Sequence, residues 1–294
     1  MFDEFSFEDL ANRYDAFLLD AYGVFWGSSE TGILPGAADA MKYLVEKGKH
    51  VGIVSNSSQL AAKEKEKLKK YELHEGVHYH FFVTSGEMTK EILQKETLPF
   101  PAPRYTYWVF GAIHPRFSSH EQLFEGTKYK ETKDLYDADF IYLSIPHING
   151  IDQEDKEVFR LQIKTIPKQI PILCVNPDLY AMEGKPPRLV VRQGSIAQMF
   201  REEKGSVYLI GKPSSIIFEK ALRQFPPKIR KEKILMIGDT PETDICGANQ
   251  IGIDAALVTK TGVMANRFEK EGKILLAQLP SQNQPKFLLD RLQR

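Results

Sequence analysis

Short apolar runs that stop abruptly at a polar or small residue are the feature that most constrains the fold of this 294-residue chain. Each run has the length of a buried strand, and the residue after it bears a functional group or is small. Buried parallel strands have this pattern where they end at the edge of a sheet. The runs precede Asp20, Ser55, Lys212, Asp239 and Thr259.

A helical pattern separates the first two runs. Pro35 suits the first turn of a helix, apolar residues recur after it at helical spacing, and Gly48 suits the position beyond the last turn. A strand, a helix and a second strand in this order predict a right-handed crossover between parallel strands. The sequence therefore predicts an α/β fold with a parallel-sheet core.

The stretch from residue 57 to residue 212 is too long for one crossover and has strand-like runs of its own, YTYWVF, DFIYLS and ILCV. We therefore predict a core domain formed by residues 1–84 and 185–294, and an inserted α/β cap domain formed by residues 85–184. The polar SQNQP before the terminal FLLDRLQR is interpreted as a loop that leads into a short helix.

The composition argues against several kinds of partner. Lys and Arg together number 39, as do Asp and Glu, so the net basic charge that attracts nucleic acid or anionic lipid is missing. No run reaches the roughly 18 apolar residues of a membrane helix, and the acidic N-terminus is unlike a signal peptide. Two cysteines without metal-type spacing suggest a reducing compartment. We expect a cytoplasmic protein that binds a small molecule, and self-association into a homo-oligomer is left open.

The side chains at the strand ends form a coherent chemical set only when they are taken together. A single aspartate after a strand is more often a helix cap. Ligands of open α/β sheets, however, bind at the carboxyl ends of the strands, where these residues meet. Two carboxylates, a hydroxyl and an ammonium group are what phosphoryl transfer through an aspartyl-phosphate requires.

The role of each group follows from its chemistry. Asp20 is the candidate nucleophile toward phosphorus, and Lys212 would neutralise charge on Asp20 and on the phosphoryl oxygens. Ser55 would hydrogen-bond the transferring group. Asp20 and Asp239 offer the hard anionic oxygens that Mg²⁺ prefers, and Asp244 is spaced to orient a metal-bound water.

The order of four motifs resembles that of the phosphatases of the haloacid dehalogenase superfamily. The motifs are DAYGVFW (20–26), VSNSS (54–58), GKPS (211–214) and GDTPETDICGA (238–248). The extra LPGA (34–37) and VNPD (175–178), with the insertion between the second and third motifs, resemble the NagD-like branch with a type-two cap. The resemblance covers nearly the whole chain, and four ordered motifs are a specific signal.

This resemblance implies a Rossmann-like core, an inserted cap, a requirement for Mg²⁺ and a small phosphorylated substrate. The residues that it implies for substrate binding are Ser55, Asn56 and Lys212. The metal ligands that it implies are Asp20, the backbone carbonyl of Tyr22, Asp239 and Asp244.

One position departs from the family pattern. The family usually has Asp-x-Asp, in which the second Asp protonates the leaving oxygen and then activates water, whereas this chain has Tyr22. A phenol with an ordinary pKa of about 10 is a poor base at neutral pH, and acid–base catalysis of this kind contributes ~10²–10⁴-fold. With Tyr22 in the catalytic position, we predict weak hydrolysis of alkyl phosphates.

A non-catalytic alternative stays open, in which the protein binds metal and a phosphorylated ligand or partner without turnover. Tyr22 favours this alternative, while the intact nucleophile, lysine and metal-binding aspartates favour the enzyme. Outside the motifs, His114 and His147 follow cap strands and are candidates for substrate recognition. The charged KEKEKLKK (63–70) is interpreted as a solvated helix face.

Overall fold

The strands of the computed structural model follow the apolar runs of the sequence, and the structure describes residues 3–28, 30–117 and 120–294. Strands and helices are numbered in chain order. The strands are β1 (Asp3–Glu4), β2 (Ala16–Leu19), β3 (His50–Ser55), β4 (Phe81–Thr84), β5 (Thr106–Phe110), β6 (Lys130–Glu131), β7 (Phe140–Leu143), β8 (Ile172–Cys174), β9 (Tyr180–Glu183), β10 (Arg188–Val191), β11 (Val207–Leu209), β12 (Ile234–Gly238), β13 (Asp254–Val258) and β14 (Phe287–Leu289).

Helices connect most of these strands, as an α/β fold requires. They are α1 (Phe7–Arg13), α2 (Ala37–Glu46), α3 (Ala61–Lys69), α4 (Ser85–Gln94), α5 (Glu121–Phe124), α6 (Arg160–Thr165), α7 (Gln193–Glu202), α8 (Ser215–Leu222), α9 (Cys246–Ile251), α10 (Ala265–Glu271) and α11 (Lys273–Gln278). Within the described ranges, no helix has the length and apolar character that crossing a bilayer demands.

The larger sheet has seven parallel strands in the part of the chain that the structure describes, in the order β1-β14-β13-β12-β2-β3-β4. Its central strands are buried along their whole length because helices cover both faces. The predicted α/β class with a parallel-sheet core is confirmed. Since β12 and β3 both pair with β2, their carboxyl ends lie side by side.

The predicted helix between the first two strands is confirmed as α2. Its buried residues Ala37, Ala40, Met41 and Leu44 recur at helical spacing and form one apolar face. The helix ends before Gly48, whose φ of 72° is in the left-handed region that glycine adopts without strain.

The chain leaves the larger sheet after β4 and returns to it at β12. Between these strands lies a smaller parallel sheet, with the order β11-β8-β7-β5-β6 among the described residues. Strands β9 and β10 form a separate antiparallel hairpin. An α/β unit is thus inserted between the two parts of the larger sheet.

The apolar run before Lys212 belongs to a different sheet from the one that the sequence pattern predicts. It forms β11, which pairs with β8 in the smaller sheet. The expected boundary between residues 184 and 185 also falls inside the β9–β10 hairpin. An apolar run indicates a buried strand without indicating its neighbours, so the pattern is silent about the sheet that the strand joins. We propose that the inserted unit ends after β11.

The C-terminal segment forms a strand where the sequence predicts a helix. Residues Phe287–Leu289 of FLLDRLQR make β14, which pairs with both β1 and β13. Three consecutive apolar residues suit a helix or a strand equally well, so pairing with neighbours determines the outcome.

The two faces of β2 belong to different apolar clusters. Phe17 and Leu19 pack on the side of α2, while Leu18 packs on the opposite side. The cluster around Leu18 continues into the smaller sheet through Tyr142 and Leu173. One of the apolar clusters therefore spans both sheets and packs the inserted unit against the larger sheet.

We expect Leu18→Ala to lower the free energy of unfolding by about 2–5 kcal/mol, because it removes buried methyl groups and leaves a cavity in the central strand. Leu18 is fully buried. Urea denaturation measures the loss. The control is Leu161→Ala at a residue that is 80% exposed, where a change of less than ~0.5 kcal/mol is expected. Equal losses in the two variants would contradict this assignment of the core.

Candidate active site

Three of the predicted residues meet at the carboxyl ends of the central strands. Asp20 directly follows β2, Ser55 is the last residue of β3, and Asp239 directly follows β12. The backbone N–H of Asp20 donates to the carbonyl of Ile237 at 2.9 Å, which extends the β2–β12 pairing to the nucleophile position. Sequence reasoning places these side chains at one edge of the sheet, and the structure brings them together there.

Three buried carboxylates form a cluster at this edge. Oxygens of Asp20, Asp239 and Asp244 all lie within 4.8 Å of one another. Asp244 comes from the π-helical turn Pro241–Ile245. Its Oδ2 accepts hydrogen bonds from the backbone N–H groups of Asp239 and Thr240 at 3.0 and 3.1 Å. Asp244, five residues after Asp239, therefore places its carboxylate back at the start of the same loop.

The Asp239 carboxylate is closely enclosed by backbone. A Cβ atom added at Gly23 would lie 2.2 Å from Asp239 Oδ2, and one at Gly262 would lie 2.0 Å from it. Val263 donates its backbone N–H to the same oxygen at 2.7 Å. Sequence reasoning missed the 261–263 loop, although its position after the apolar run that ends at Val258 was an available signal.

Lys212 supplies positive charge to the carboxylate cluster. Its Nζ lies 2.5 Å from Asp20 Oδ1 and 2.7 Å from Asp244 Oδ1, and it donates to the carbonyl of Val54 at 2.9 Å. The side chain is fully buried. Although Lys212 follows a strand of the smaller sheet, its ammonium group reaches the strand ends of the larger one.

Asn56 holds the loop that carries Lys212. Its Nδ2 donates to Asp178 Oδ1 at 2.8 Å and to the carbonyl of Lys212 at 3.2 Å, and its Oδ1 accepts the backbone N–H of Lys212 at 2.6 Å. Asp178 lies in the VNPD segment. Because these contacts occupy its amide, the Asn56 side chain positions Lys212, and its predicted contact with the substrate stays a prediction.

Burial and mutual repulsion raise the pKa values of the carboxyl groups. Burial first, and then the charge of Asp244, raises the pKa of Asp239 to about 7. Burial also raises the pKa of Asp20 well above its usual range, although Lys212 opposes this effect. Burial raises the pKa of Asp178 to about 6. The negative charge of the ionised carboxylates would thus exceed the positive charge of Lys212. A bound cation would stabilise their ionised forms.

A cavity of about 350 Å³ adjoins the carboxylates. The larger sheet and its loops contribute Asp20, Tyr22, Ser55 and Asp239 to the wall. The inserted unit contributes a largely apolar surface with three charged side chains, and its lining residues include Phe117, Ile145, Asp178, Tyr180, Met182, Glu183 and Arg192. The cavity is therefore bounded on one side by charged strand ends and on the other by the inserted unit.

Tyr22 lines the cavity and is held by a lysine. Its hydroxyl oxygen accepts a hydrogen bond from Lys67 Nζ at 2.9 Å, and the same Nζ lies 4.9 Å from the centre of its ring. Lys67 also lies over Trp26 and pairs with Glu64 at 2.5 Å. Burial first, and then the charge of Glu64, raises the pKa of Tyr22 to about 12. The phenol is therefore protonated at neutral pH.

The charged segment 63–70 is only partly the solvated face that the sequence predicts. Glu64 is buried and accepts a hydrogen bond from Ser57 Oγ at 2.6 Å. Lys67 contacts Tyr22, as described above. Alternating charges are typical of an exposed helix, and the burial of Glu64 depends on partners in other parts of the chain.

His114 and His147 do not line the cavity, so the expectation that their loops bring them to the substrate is not supported. His114 is buried, with Nε2 3.5 Å from Asp152 Oδ1, and burial lowers its pKa to about 4. His147 Nε2 lies 3.3 Å from the carbonyl of Ala112. Both imidazoles belong to the inserted unit, and these partners belong to it as well.

Family models match both parts of the larger sheet. Residues 17–115 match the model described as haloacid dehalogenase-like hydrolase, and residues 209–293 match the one described as HAD-hydrolase-like. Asp20 and Ser55 lie in the first match, and Lys212 and Asp239 lie in the second.

Similar proteins cover most of the chain. The acid sugar phosphatase of Staphylococcus aureus (strain USA300) is 25% identical over 255 residues, which are 85% of this chain and 88% of that protein. A haloacid dehalogenase-like family hydrolase from Brucella suis 1330 has a TM-score of 0.76 at 23% identity and 97% coverage of both chains. A possible sugar phosphatase from Cytophaga hutchinsonii has a TM-score of 0.71 at 23% identity and 99% coverage of both. The structural similarity supports the fold.

We expect the metal-free protein to lose stability as the pH rises from about 4 to about 7. The pKa of Asp239 is about 7 in the folded state against an ordinary 3.8, so the folded protein retains a proton that the unfolded chain releases. This contribution is fully present below the ordinary pKa and is lost as the pH rises through the folded pKa. Urea denaturation in EDTA at pH 5 and pH 7 measures it.

The control for this effect is Asp239→Asn, which cannot ionise at this position. Its stability should fall less than that of the wild type between the two pH values. Added Mg²⁺ should raise the stability of the wild type at pH 7 more than that of the variant. A pH dependence that is identical in both proteins would contradict the assigned pKa.

Proposed function

We infer that the chain, whose two family-model matches are both to haloacid dehalogenase-like hydrolases, belongs to the NagD-like branch of that superfamily, and we propose that it is a Mg²⁺-dependent phosphatase for a small phosphorylated metabolite. The observation that carries the proposal is the ammonium group of Lys212, buried between Asp20 and Asp244 beside Asp239. The names of the similar proteins, an acid sugar phosphatase and a possible sugar phosphatase, support a phosphate monoester as the substrate.

Asp20 is the proposed nucleophile. Lys212 binds its Oδ1, so Oδ2 is the proposed attacking oxygen. Attack forms an oxygen–phosphorus bond to Asp20 while the ester oxygen–phosphorus bond breaks, and the leaving oxygen takes up a proton. Water then cleaves the aspartyl-phosphate, which releases inorganic phosphate and restores the Asp20 carboxylate.

Ser55 and Lys212 are the proposed partners of the phosphoryl group. Ser55 Oγ accepts the backbone N–H of Ser57 at 3.2 Å, so its own hydroxyl hydrogen is available to a phosphoryl oxygen. Lys212 is buried and held by three oxygen atoms, so its charge is oriented before the substrate arrives. Preorganised charge of this kind stabilises the transition state without reorganisation during the reaction.

The residues that would hold Mg²⁺ are Asp20, Asp239, Asp244 and the backbone carbonyl of Tyr22. The carboxylates fit this ion because they supply hard oxygen atoms that are buried within 4.8 Å of one another. Their raised pKa values indicate a site with an excess of negative charge. Bound Mg²⁺ would supply positive charge that stabilises the transferring phosphoryl group.

Tyr22 limits the proposed activity toward alkyl phosphates. Its phenol, whose pKa burial raises to about 12, is a much weaker acid toward the leaving oxygen than a carboxyl group and, being protonated at neutral pH, is also a poor base for the second step. Aryl and acyl phosphates, whose leaving oxygens need little protonation, are therefore the proposed favourable substrates in simple assays. The alternative supported by Tyr22 is a protein that binds metal and a phosphorylated ligand without turnover.

We expect Asp20→Asn to reduce phosphatase activity with Mg²⁺ by ~10³-fold or more, because the amide cannot serve as the nucleophile. Hydrolysis of phenyl phosphate by purified protein measures the loss. The matched control is Asp15→Asn, at the opposite end of the same strand, where the carboxylate is 57% exposed and should have no effect. Activity that survives Asp20→Asn would come from another site or another protein.

We expect Tyr22→Asp to raise the turnover of alkyl phosphates by ~10-fold or more, because it restores a carboxylate at the acid–base position. Activity of the wild type should rise steeply as the pKa of the leaving group falls. Removing the aromatic ring leaves a cavity, and a loss of ~1–3 kcal/mol or more in stability is expected, so unfolding is measured in parallel.

Tyr22→Phe is the control for this substitution, since it keeps the ring and adds no carboxylate. It should show no gain on alkyl phosphates. If folded, Mg²⁺-binding Tyr22→Asp and the wild type are both inert on every phosphate ester, the binding protein without turnover becomes the better interpretation.

A further inference from the structure

Besides the proposed nucleophile and metal ligands, the cavity wall contains the carboxylates of Glu64, Asp178 and Glu183. Glu64 pairs with Lys67 at 2.5 Å, and Glu183 pairs with Arg192 at 2.9 Å. Within the ranges that the structure describes, Asp178 forms no ion pair with a basic side chain. A neighbouring cation favours the ionised form of a carboxyl group and so makes it a weaker base. Of the three, Asp178 is therefore the best suited to accept a proton.

Asp178 combines a neutral partner with access to the cavity. Its Oδ1 accepts a hydrogen bond from the amide of Asn56 at 2.8 Å. Asp239 and Asp244 are buried, whereas Asp178 is partly exposed and lines the cavity. Each oxygen of a carboxylate can accept more than one hydrogen bond. The side chain therefore retains the capacity to accept a hydrogen bond from a water molecule in the cavity.

The backbone that carries Asp178 is fixed by its neighbours. The N–H of Asp178 donates to Asn176 Oδ1 at 2.9 Å, and its carbonyl accepts the N–H of Gly194 at 3.0 Å. A Cβ atom added at Gly194 would lie 2.0 Å from the carbonyl oxygen of Pro177, so this turn packs directly against the backbone of α7. A carboxylate held in this way is oriented before the reaction begins, as an efficient catalytic group requires.

Asp178 also lies on the side of the cavity from which water must attack. Burial raises the pKa values of Asp20 and Asp239, and the nearby charge of Asp178 contributes to both increases. In phosphoryl transfer the attacking and leaving oxygens are roughly in line, so the leaving group lies opposite Asp20, toward the inserted unit. Water enters from this side in the second step. Because burial raises the pKa of Asp178 to about 6, its carboxyl group is mostly ionised at pH 7 and is a stronger base than an ordinary aspartate.

We propose that Asp178 is the general base of the second step and supplies the carboxylate that the first motif lacks at Tyr22. Asp178 accepts a proton from water while the water oxygen forms a bond to phosphorus and the bond between phosphorus and Asp20 breaks. Inorganic phosphate leaves, and Asp178 returns the proton to solvent. This inference rests on the proposed function, because it requires an aspartyl-phosphate on Asp20. The first step gains no acid at neutral pH, so the expected preference for aryl and acyl phosphates is unchanged.

The test is the rapid-mixing kinetics of Asp178→Asn with phenyl phosphate and Mg²⁺. The amide oxygen still accepts the hydrogen bond from Asn56, but the amide cannot take up the proton of water. We expect kcat to fall by ~10²-fold or more, and a burst of about one phenol per protein molecule should precede the slow phase. Since kcat/KM reports the first step, it should fall at least ~10-fold less than kcat.

Two further variants separate catalysis from positioning. Asn56→Ala removes the support of Lys212, so its loss should appear in kcat/KM without a phenol burst. Asp137→Asn is the matched control in the inserted unit, because this side chain is 70% exposed and lies outside the cavity. It should keep the kinetics of the wild type.

Asp178→Ala provides a second measurement, which also serves if Asp178→Asn does not fold. Formate can occupy the vacated space and accept the proton, so it should raise kcat of Asp178→Ala by ~10-fold or more without raising that of the wild type.

The outcomes distinguish this inference from the function on which it rests. If the wild type does not hydrolyse phenyl phosphate, both are overturned. If the wild type is active and Asp178→Asn keeps its kcat, only the inference about Asp178 fails. It also fails alone if Asp178→Asn behaves like Asn56→Ala, with equal losses in kcat and kcat/KM and no burst, because Asp178 then acts only by holding Lys212. Absence of rescue by formate in folded Asp178→Ala would likewise contradict the role of a base.

Discussion

The ammonium group of Lys212, buried between the carboxylates of Asp20 and Asp244, is the interaction on which the rest of the site depends. The carboxylates belong to the larger sheet, whereas Lys212 follows a strand of the smaller one. Removing one partner of a buried ion pair typically costs 3–5 kcal/mol, because the other charge is left uncompensated. This pairing, supported by the amide of Asn56, therefore joins the inserted unit to the strand ends.

The cavity combines two chemically different regions as a consequence. At the strand ends, three carboxylates and one lysine leave an excess of negative charge that suits a cation and, with it, a phosphoryl group. In the inserted unit, Glu183 and Arg192 form an ion pair on a largely apolar wall. The first region is the basis of the proposed phosphate chemistry, and the second encloses the space beside it.

Much of the candidate site could be predicted because its residues follow strands. Asp20, Ser55 and Asp239 stand directly at the ends of apolar runs, and parallel strands bring such ends together. Other residues gave no such signal. Lys67 lies in a segment whose alternating charges are typical of a solvated helix, and its contact with Tyr22 joins residues 45 positions apart. Glu183 lies in a hairpin whose approach to the cavity depends on packing between the sheets.

The sequence by itself determined the α/β class, the presence of an inserted unit and the identity of the residues at the strand ends. Apolar runs and helical spacing are local patterns, and they report the local burial that produces strands and helices. Only the tertiary structure decided that β11 joins the smaller sheet, that Asn56 supports Lys212, and that Glu183 and Arg192 line the cavity. Those outcomes depend on pairing, desolvation and charge compensation between residues distant along the chain, and local sequence patterns do not encode these energies.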